Sequence, residues 1–535
     1  MRALRVVAAM RYRVGLVAVT LVILGAGGLW QTPPVDAGIA IGTFTVDTTV
    51  DDPARDSCAL VPDDCSLRGA VIRANGISGA QTIIIPAGTY VLTSTGAESA
   101  STGDLDISQS LTITVSANRA GDVATINGGS TGDRVIAINC GAVCTVNGSN
   151  LKITGGGPMP VGGSGAGGGI HINNTNVTLN LDNSTITNNV TGNGVTVGHR
   201  LGGGISNDGG TLRLSNSAVT NNSALSPGGG SFASGGGIYN GGALVLTNST
   251  ISGNSVNDGA SATATGGGIR HFTTSTSQPS GMANITNTTI TDNTSDPGNG
   301  GGIGVSNSVG TFKLSNTTIA NNTGGDCGGP AVILFDSLGA NNDSDDSCNL
   351  DQPSDIPGTD PELGGLGFHG GLTANHVPMA GSPLLDTGFN TTCNTLTDAF
   401  GDPDATDQRG KPRKSAGDLT PGTRCDIGAA EFVAANCNSK TPSLVGTNGP
   451  DSGTGTSGDD VVVLLGGSDD YDGAGGSDDV CGGSGTDDQV NGGAGPDALS
   501  GGAGGSDDCF GDGGGDSFIG GTQAASGCET ATSIP

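Results

Sequence analysis

Apolar and polar residues alternate along this chain in short bursts, and the bursts repeat. The string GGGI recurs with its isoleucine at Ile170, Ile205, Ile238, Ile269 and Ile303, at intervals of 35, 33, 31 and 34 residues. A second block follows each: LNLDNSTITNN (179–189), LRLSNSAVTNN (212–222), LVLTNSTISGN (244–254), ANITNTTITDN (283–293) and FKLSNTTIANN (312–322). Aligned, the blocks form rows: Leu179, Leu212, Leu244, Ala283, Phe312; Leu181, Leu214, Leu246, Ile285, Leu314; and Ile186, Val219, Ile251, Ile290, Ile319. A period of two within each burst predicts strands with one buried face. Identical positions returning coil after coil predict that like stacks on like. A helical reading fails, because β-branched, Asn- and Gly-rich runs have the wrong period and poor propensity. The pattern predicts a parallel β-helix whose coils rise by roughly 4.8 Å.

Two asparagine rows agree with that architecture: Asn183, Asn216, Asn248, Asn287, Asn316, and Asn189, Asn222, Asn254, Asn293, Asn322. Asn tolerates left-handed backbone and bonds neighbouring backbone at turns. Stacked side-chain amides can also form ladders along the axis. The Asn-x-Ser/Thr triplets that these rows create are read as turn chemistry, not as glycosylation sites. The segments TIIIPAGTYVL (82–92), LDISQSLTITV (105–115) and TVNGSNLKITGG (145–156) look like strand–turn–strand and are expected to open the stack. An open coil exposes unpaired backbone and a raw apolar column, so the preceding region is expected to cap it.

The pattern changes after residue 450. From Gly455 the sequence runs in units of about nine residues, and the sixth position carries Asp460, Asp469, Asp478, Asp487, Asp497, Asp507 and Asp516, at spacings of 9, 9, 9, 10, 10 and 9. The eighth position is mostly apolar: Val462, Tyr471, Val480, Leu499 and Phe518, with Gln489 and Cys509 as departures and Leu464-Leu465 in place of glycines. Glycine permits tight turns and leaves carbonyls free to face an ion, and aspartate supplies a hard oxygen at a fixed interval. Ca²⁺ takes six to eight oxygens, so successive turns can surround one ion. The expected cofactor is Ca²⁺, with those seven aspartates as its ligands. The alternative is a flexible Gly/Asp tail.

Composition sharpens both readings. Gly is 100 of 535 residues and aromatics are 3%, as suits turn-dense repeats with a thin core. The net charge is −30, and residues 441–535 supply −16 of it through fifteen Asp and one Glu, with no Lys or Arg. That balance argues against nucleic acid as a partner and favours cations. Arg2, Arg5, Arg11 and Arg13 precede an apolar run from Val14 to Trp30, and Val35 and Ala37 offer a cleavage site before Gly38. This is the layout of a signal peptide, and no second membrane span follows it. The expected localisation is secreted or cell-surface. Twelve cysteines, many close together (Cys58/Cys65, Cys140/Cys144, Cys327/Cys348, Cys425/Cys437, Cys509/Cys528), read as local disulfides in an exported chain, with connectivity left open. No His lies near any Cys cluster, which disfavours zinc.

Several motifs carry a resemblance. Cys65-Ser-Leu-Arg-Gly-Ala70, then Ala74-Asn75, IIIPAGTY and GDLDI (103–107), resemble the CSLREA N-terminal motif of secreted bacterial right-handed β-helix proteins, with Gly69 where that motif has Glu. TDPELGGL (359–366), GSPLLDTG (381–388), DQRGKPR (407–413) and CDIGAAEF (425–432) resemble the choice-of-anchor Q module. The nine-residue units resemble the hemolysin-type (RTX) repeat GGxGxDxUx. These resemblances imply fold and export and say almost nothing about chemistry.

The expected fold is therefore all-β: a right-handed parallel β-helix of the pectate-lyase-like kind followed by a small RTX-type calcium β-roll. The expected division is a signal peptide at 1–37, an N-terminal cap at 38–74, the β-helix at 75–350, the anchor-like module at 351–433, a linker at 434–447, the calcium repeats at 448–522 and a tail at 523–535. The residue after each GGGI is expected to face outward, giving the row His171, Ser206, Tyr239, Arg270, Gly304, with His271 beside it. His171, Tyr239, Arg270 and His271 are the candidate ligand-binding residues, for a polysaccharide or a cell-surface ligand. The regular stack holds only five acids, Asp182, Asp208, Asp258, Asp292 and Asp296, no two in one row of adjacent coils. No catalytic residues are assigned. Two functions remain: a non-enzymatic surface or secreted binding protein of the adhesin type, and a polysaccharide lyase or glycosidase with a calcium-binding tail.

Overall fold

The computed structural model divides the chain into two compact units, 1–40 and 41–535. It describes residues 42–532 except 60, 96–98, 117–121, 130, 158–164, 193–198, 227–231, 258–264, 273–281, 307–311, 330–334, 380, 395, 397–405, 412, 414–423, 433–436, 438, 439, 441, 443, 446–449, 465, 466, 484–486, 503–506 and 519–529. The expected signal peptide and Cys528 lie outside the described residues.

The first solenoid is a right-handed parallel β-helix with three faces. One face has ten parallel strands from Thr43–Thr45 to Phe335–Ser337, a second has ten from Gly88–Val91 to Ile356–Pro357, and a third has eight from Leu105–Ile107 to Cys327–Gly328. They are called here the leucine, threonine and isoleucine faces. Every expected row forms in register: Leu179 pairs with Leu212, Leu212 with Leu244, Leu244 with Ala283 and Ala283 with Phe312. The Ile170–Ile303 row and the Ile186–Ile319 row align likewise. These side chains form one continuous buried column, each contributing about 1.5–3 kcal/mol on burial.

The two asparagine rows divide the labour as their positions suggest. Asn183, Asn216, Asn248, Asn287 and Asn316 adopt φ of +45 to +50°, turning the chain between the leucine and threonine faces. The second row points inward as an amide ladder. Asn189 Nδ2 donates to Asn222 Oδ1 at 3.0 Å, and the contact repeats through Asn254, Asn293 and Asn322 at 2.9–3.0 Å. Asn322 Nδ2 then donates to Asp326 Oδ1 at 2.9 Å. A carboxylate only accepts, so it closes a run of donors. The GGG strings have a steric cause. The first glycine of each takes φ of +64 to +71°, and a Cβ on the next would press on the backbone of the following coil.

The cap contains an element that the alternation did not predict. Leu67–Asn75 is an α-helix whose N-cap Ser66 accepts from Gly69 N. Buried Arg68 pairs with Asp51 at 2.6 Å and donates to the carbonyls of Asp104 and Gly103. Gly69 admits no side chain, because its Cβ would overlap the Arg55 carbonyl. The described residues of 351–432 return along the threonine face. Thr250 Oγ1 donates to Gln408 Oε1 at 2.6 Å, and Arg413 Nη2 donates to Asn248 Oδ1 at 2.8 Å while Nη1 pairs with buried Glu431 at 2.7 Å.

Disulfides Cys58–Cys65, Cys140–Cys144 and Cys327–Cys348 form between near neighbours. Cys425 differs from its sequence-adjacent expectation: it bonds Cys393, and Cys437 bonds Cys481 in the second solenoid. Cys509 is also disulfide-bonded.

The second solenoid is a two-sheet parallel β-roll. Leu444–Val445, Val461–Val463, Asp479–Cys481, Ala498–Ser500 and Ser517–Phe518 stack in one sheet, and Ser452–Thr454, Asp470–Asp472, Gln489–Asn491, Asp508–Phe510 and Thr530–Thr532 in the other. Among the described residues no helix is long and apolar enough to cross a membrane.

Candidate functional site

From Val461–Val463 to Asp508–Phe510, each strand of the roll sends an apolar residue inward. The column is Val462, Tyr471, Val480, Val490, Leu499 and Cys509, with Phe518 packed against it. Every turn then presents one aspartate to the coil before it. The backbone N–H groups of Asp460, Asp478 and Asp497 donate to the Oδ1 atoms of Asp478, Asp497 and Asp516 at 2.8, 2.9 and 3.1 Å. On the alternate turns Asp451, Asp469 and Asp488 donate to Asp469, Asp488 and Asp507 at 2.8, 2.9 and 3.1 Å. Two aspartate ladders result.

Six of the seven expected aspartates stand in these ladders. At the remaining rung the structure places Asp488, which is fully buried, and leaves Asp487 exposed with φ of +62°. The same one-residue shift puts Val490 into the column and Gln489 outside, which removes the apparent polar intrusion at the eighth position.

The ladder uses only half of each carboxylate. The Oδ2 atoms of Asp469, Asp478, Asp488 and Asp497 are buried without a hydrogen-bond partner. Burial pushes all four carboxyls above their ordinary range, Asp488 to about 6; the backbone N–H bonds oppose the shift, and neighbouring carboxylates add to it. The free oxygens point into notches made by glycine. A Cβ at Gly482 would stand 2.7 Å from Asp488 Oδ2, and one at Gly492 2.5 Å from Asp497 Oδ2. The Gly473 notch is faced by Asp478 Oδ2 and by the Gly492 carbonyl of the next coil. Carboxylate and carbonyl oxygens, with no nitrogen or sulfur, form the donor set of a hard divalent cation. The rungs are not equivalent. Asp460 Oδ2 already accepts from Thr456 N and Oγ1 at 2.7 and 3.1 Å. Buried Leu464 replaces glycine five residues before Asp469.

The proposed ligand row on the isoleucine face forms in register, His171 beside Ser206, Ser206 beside Tyr239 and Tyr239 beside Arg270. Its expected exposure does not hold. His171 is 2% exposed and Arg270 8%, and only Tyr239 is half-buried. Around His171 the fold gathers charges that the sequence scatters. Arg134 Nη1 lies 2.6 Å from His171 Nδ1, Arg134 Nε lies 2.9 Å from Asp104 Oδ2, and His171 Nε2 lies 2.9 Å from Asp208 Oδ2. A guanidinium cannot accept, so Nδ1 holds the lone pair and Nε2 carries the proton to Asp208. Both nitrogens are engaged, and the ring has no lone pair left for a substrate proton. Burial raises the Asp208 carboxyl, but the His171 and Ser206 bonds bring it below the usual range. Burial pushes Arg270 down to about 10 and Tyr239 up to about 12, so neither changes charge near neutrality. His271 faces the interior: Asn240 Nδ2 meets its Nδ1 at 2.9 Å and its ring packs edge-on to Phe312. Strand alternation already puts it there, since it follows inward Ile269 by two.

A third acidic group closes the β-helix. Asp326, Asp343 and Asp345 bring carboxylate oxygens within 4.8 Å of one another. Donors occupy them: Asn322 and Ser344 on Asp326, Cys348 N on Asp343, and Asp326 N and Ser347 N on Asp345. This is a clamp at the end of the amide ladder, beside the Cys327–Cys348 disulfide.

No family model matches the chain, and no curated protein matches it. Among solved structures, the crystal structure of pectate lyase Pel9A overlays with a TM-score of 0.29 and 13% identity, over 73% of this chain and 96% of that one. An overlay at that level reaches no further than the solenoid already described.

Proposed function

We propose that the chain is an exported, calcium-binding protein that acts by binding at a surface or in the medium and not as an enzyme, with Ca²⁺ seated along the two aspartate ladders of the roll. One observation carries this reading: four buried carboxylate oxygens lack partners, and carboxylates of the same ladders face glycine notches and backbone carbonyls. Stranding a carboxylate that way is costly, and a cation supplies the missing partner. Asp478, Asp488 and Asp497 form the best-made rungs. Asp469, beside Leu464, and Asp460, already bonded by Thr456, form poorer ones. The disulfides and the arginine-led apolar N-terminus support export, as do the resemblances at 65–70 and 359–432. The engaged imidazole of His171 supports a non-enzymatic role.

Calorimetric titration of the full mature chain with calcium tests the reading. Several ions bind in the wild type, and D478N with D497N removes a matching share of them. Absence of calcium heat, together with identical melting in chelator and in calcium, sinks it. Mass spectrometry of the exported chain tests the processing, which is expected before Gly38.

A further inference from the structure

We infer that a groove between the threonine face and the segment 363–378 binds an extended neutral saccharide chain. Among the described residues, the C-terminal segment bonds the later coils of this face, at Asn216, Thr250, Ser252 and Thr289. Within it, the bridges Leu363–Pro378 and Gly367–Asn375 hold up a narrow antiparallel wall. Between that wall and the coils lies a groove of about 460 Å³.

The floor is a register of polar side chains. Thr125, Lys152 and Thr185 fall in one row, and Thr187 and Thr220 in the next. Polar groups therefore recur along the groove at the coil rise of roughly 4.8 Å, close to the length of one pyranose residue. The wall supplies the apolar half: Phe368 is 72% exposed beside the groove, with Leu366 at 37%. An exposed aromatic over hydroxyls suits a ligand with one apolar and one polar face, which is the character of a sugar ring. Charge decides between saccharide classes. The groove lining contains no carboxylate and one ammonium, Lys152, but the whole chain carries −30. That field disfavours a polyanion at long range and leaves a neutral chain. No residue of the groove lining belongs to the roll, so the site stands or falls independently of calcium.

The test is binding of linear hexasaccharides to the full chain, followed calorimetrically, with a panel of neutral glucans, mannans and xylans and a uronate hexamer as the charged arm. At least one neutral hexamer binds, equally in calcium and in chelator, and more tightly than the uronate. F368A weakens it at least tenfold, and K152A by about threefold or less. Phe368 is exposed, so F368A melts like the wild type and its loss reports on binding. Binding by no neutral hexamer, binding indifferent to F368A, or tighter binding of the uronate overturns the proposal. So does a self-association in sedimentation that F368A abolishes, since the groove is then occupied by a second copy of this chain.

Discussion

Both solenoids stack like on like, but they satisfy their interiors in opposite ways. In the β-helix the inward polar groups answer one another. Each ladder asparagine donates to the next coil and accepts from the previous one, and Asp326 ends the run. The roll has coils of 18–19 residues, a single thin column of inward apolar side chains, and buried carboxylate oxygens with no donor. A column that satisfies itself needs nothing from solution. A column that does not is completed from outside, which is where calcium enters.

Removing calcium is the strongest way to break the comparison. Each occupied site at a thousandfold excess over its Kd is worth about 4 kcal/mol, and several sites exceed what a thin apolar column supplies. In chelator the roll is expected to lose its structure and become protease-sensitive, while the β-helix melts where it did before. Hydrogen exchange resolved along the chain reads this directly. Equal protection of both regions in chelator would remove the contrast.

Single substitutions sharpen it. Asn254→Ala leaves the donors of Asn222 without their acceptor and is expected to cost about 3 kcal/mol, with or without calcium. Asp497→Asn is expected to change little in chelator and to weaken one calcium site about 10- to 100-fold. Thermal melts of both variants under both conditions give the four values needed. A calcium-dependent penalty for Asn254→Ala would count against the division.

Most of the fold was legible because a solenoid writes its register into the sequence at a fixed interval. The Leu and Ile rows needed only alignment. What failed was whatever depended on something arriving from elsewhere. Alternation told that His171 and Arg270 leave the core side of their strand, but not that they would be covered. Arg134 and Asp208, which engage His171, lie on either side of it at 37 residues' distance. Proximity in sequence favours Cys437 for Cys425, whereas the bonds run to Cys393 and Cys481 at separations of 32 and 44 residues. In the roll, Asp487 and Asp488 are adjacent and a nine-residue count favours the first. The better guide was two residues on: Val490 is apolar and Gln489 is not, and the inward column tolerates no Gln.

Acidification is expected to act on the two regions with opposite sign. Burial pushes the Asp343 carboxyl in the terminal clamp up to about 7, the Cys348 N–H bond opposes this, and Asp345 and Asp326 reinforce it. A carboxyl raised on folding favours the folded state when protonated. That contribution is full below its unfolded value of about 3.9 and is lost as pH rises through about 7. The β-helix end is therefore expected to melt higher at pH 5 than at pH 8, and Asp343→Asn to flatten the difference. The calcium-loaded roll responds the other way, because its ligands must be deprotonated to bind. Melts that shift in the same direction for both regions would break the assignment.

The smallest expected effect concerns glycine, which does two different jobs in the two solenoids. In the β-helix the residue before each inward ladder position takes positive φ, and the series reads Asn188, Asn221, Gly253, Asp292, Asn321, with φ of +55, +54, +68, +58 and +57°. Glycine at 253 therefore supplies a backbone conformation that Asn and Asp already supply in neighbouring coils, and a Cβ there would crowd only the exposed side-chain end of Asn221. Gly253→Asn is expected to shift stability by less than about 0.5 kcal/mol, with any gain coming from the unfolded chain. At Gly473 the requirement is space, since a side chain there would meet Asp478 Oδ2 and the Gly492 carbonyl. Gly473→Ala is therefore expected to leave chelated melts unchanged and to delete one calcium site. If Gly253→Asn proved as damaging in the β-helix as Gly473→Ala in the calcium-loaded roll, conformation and space would not be the separate demands that the two stacks place on the same residue.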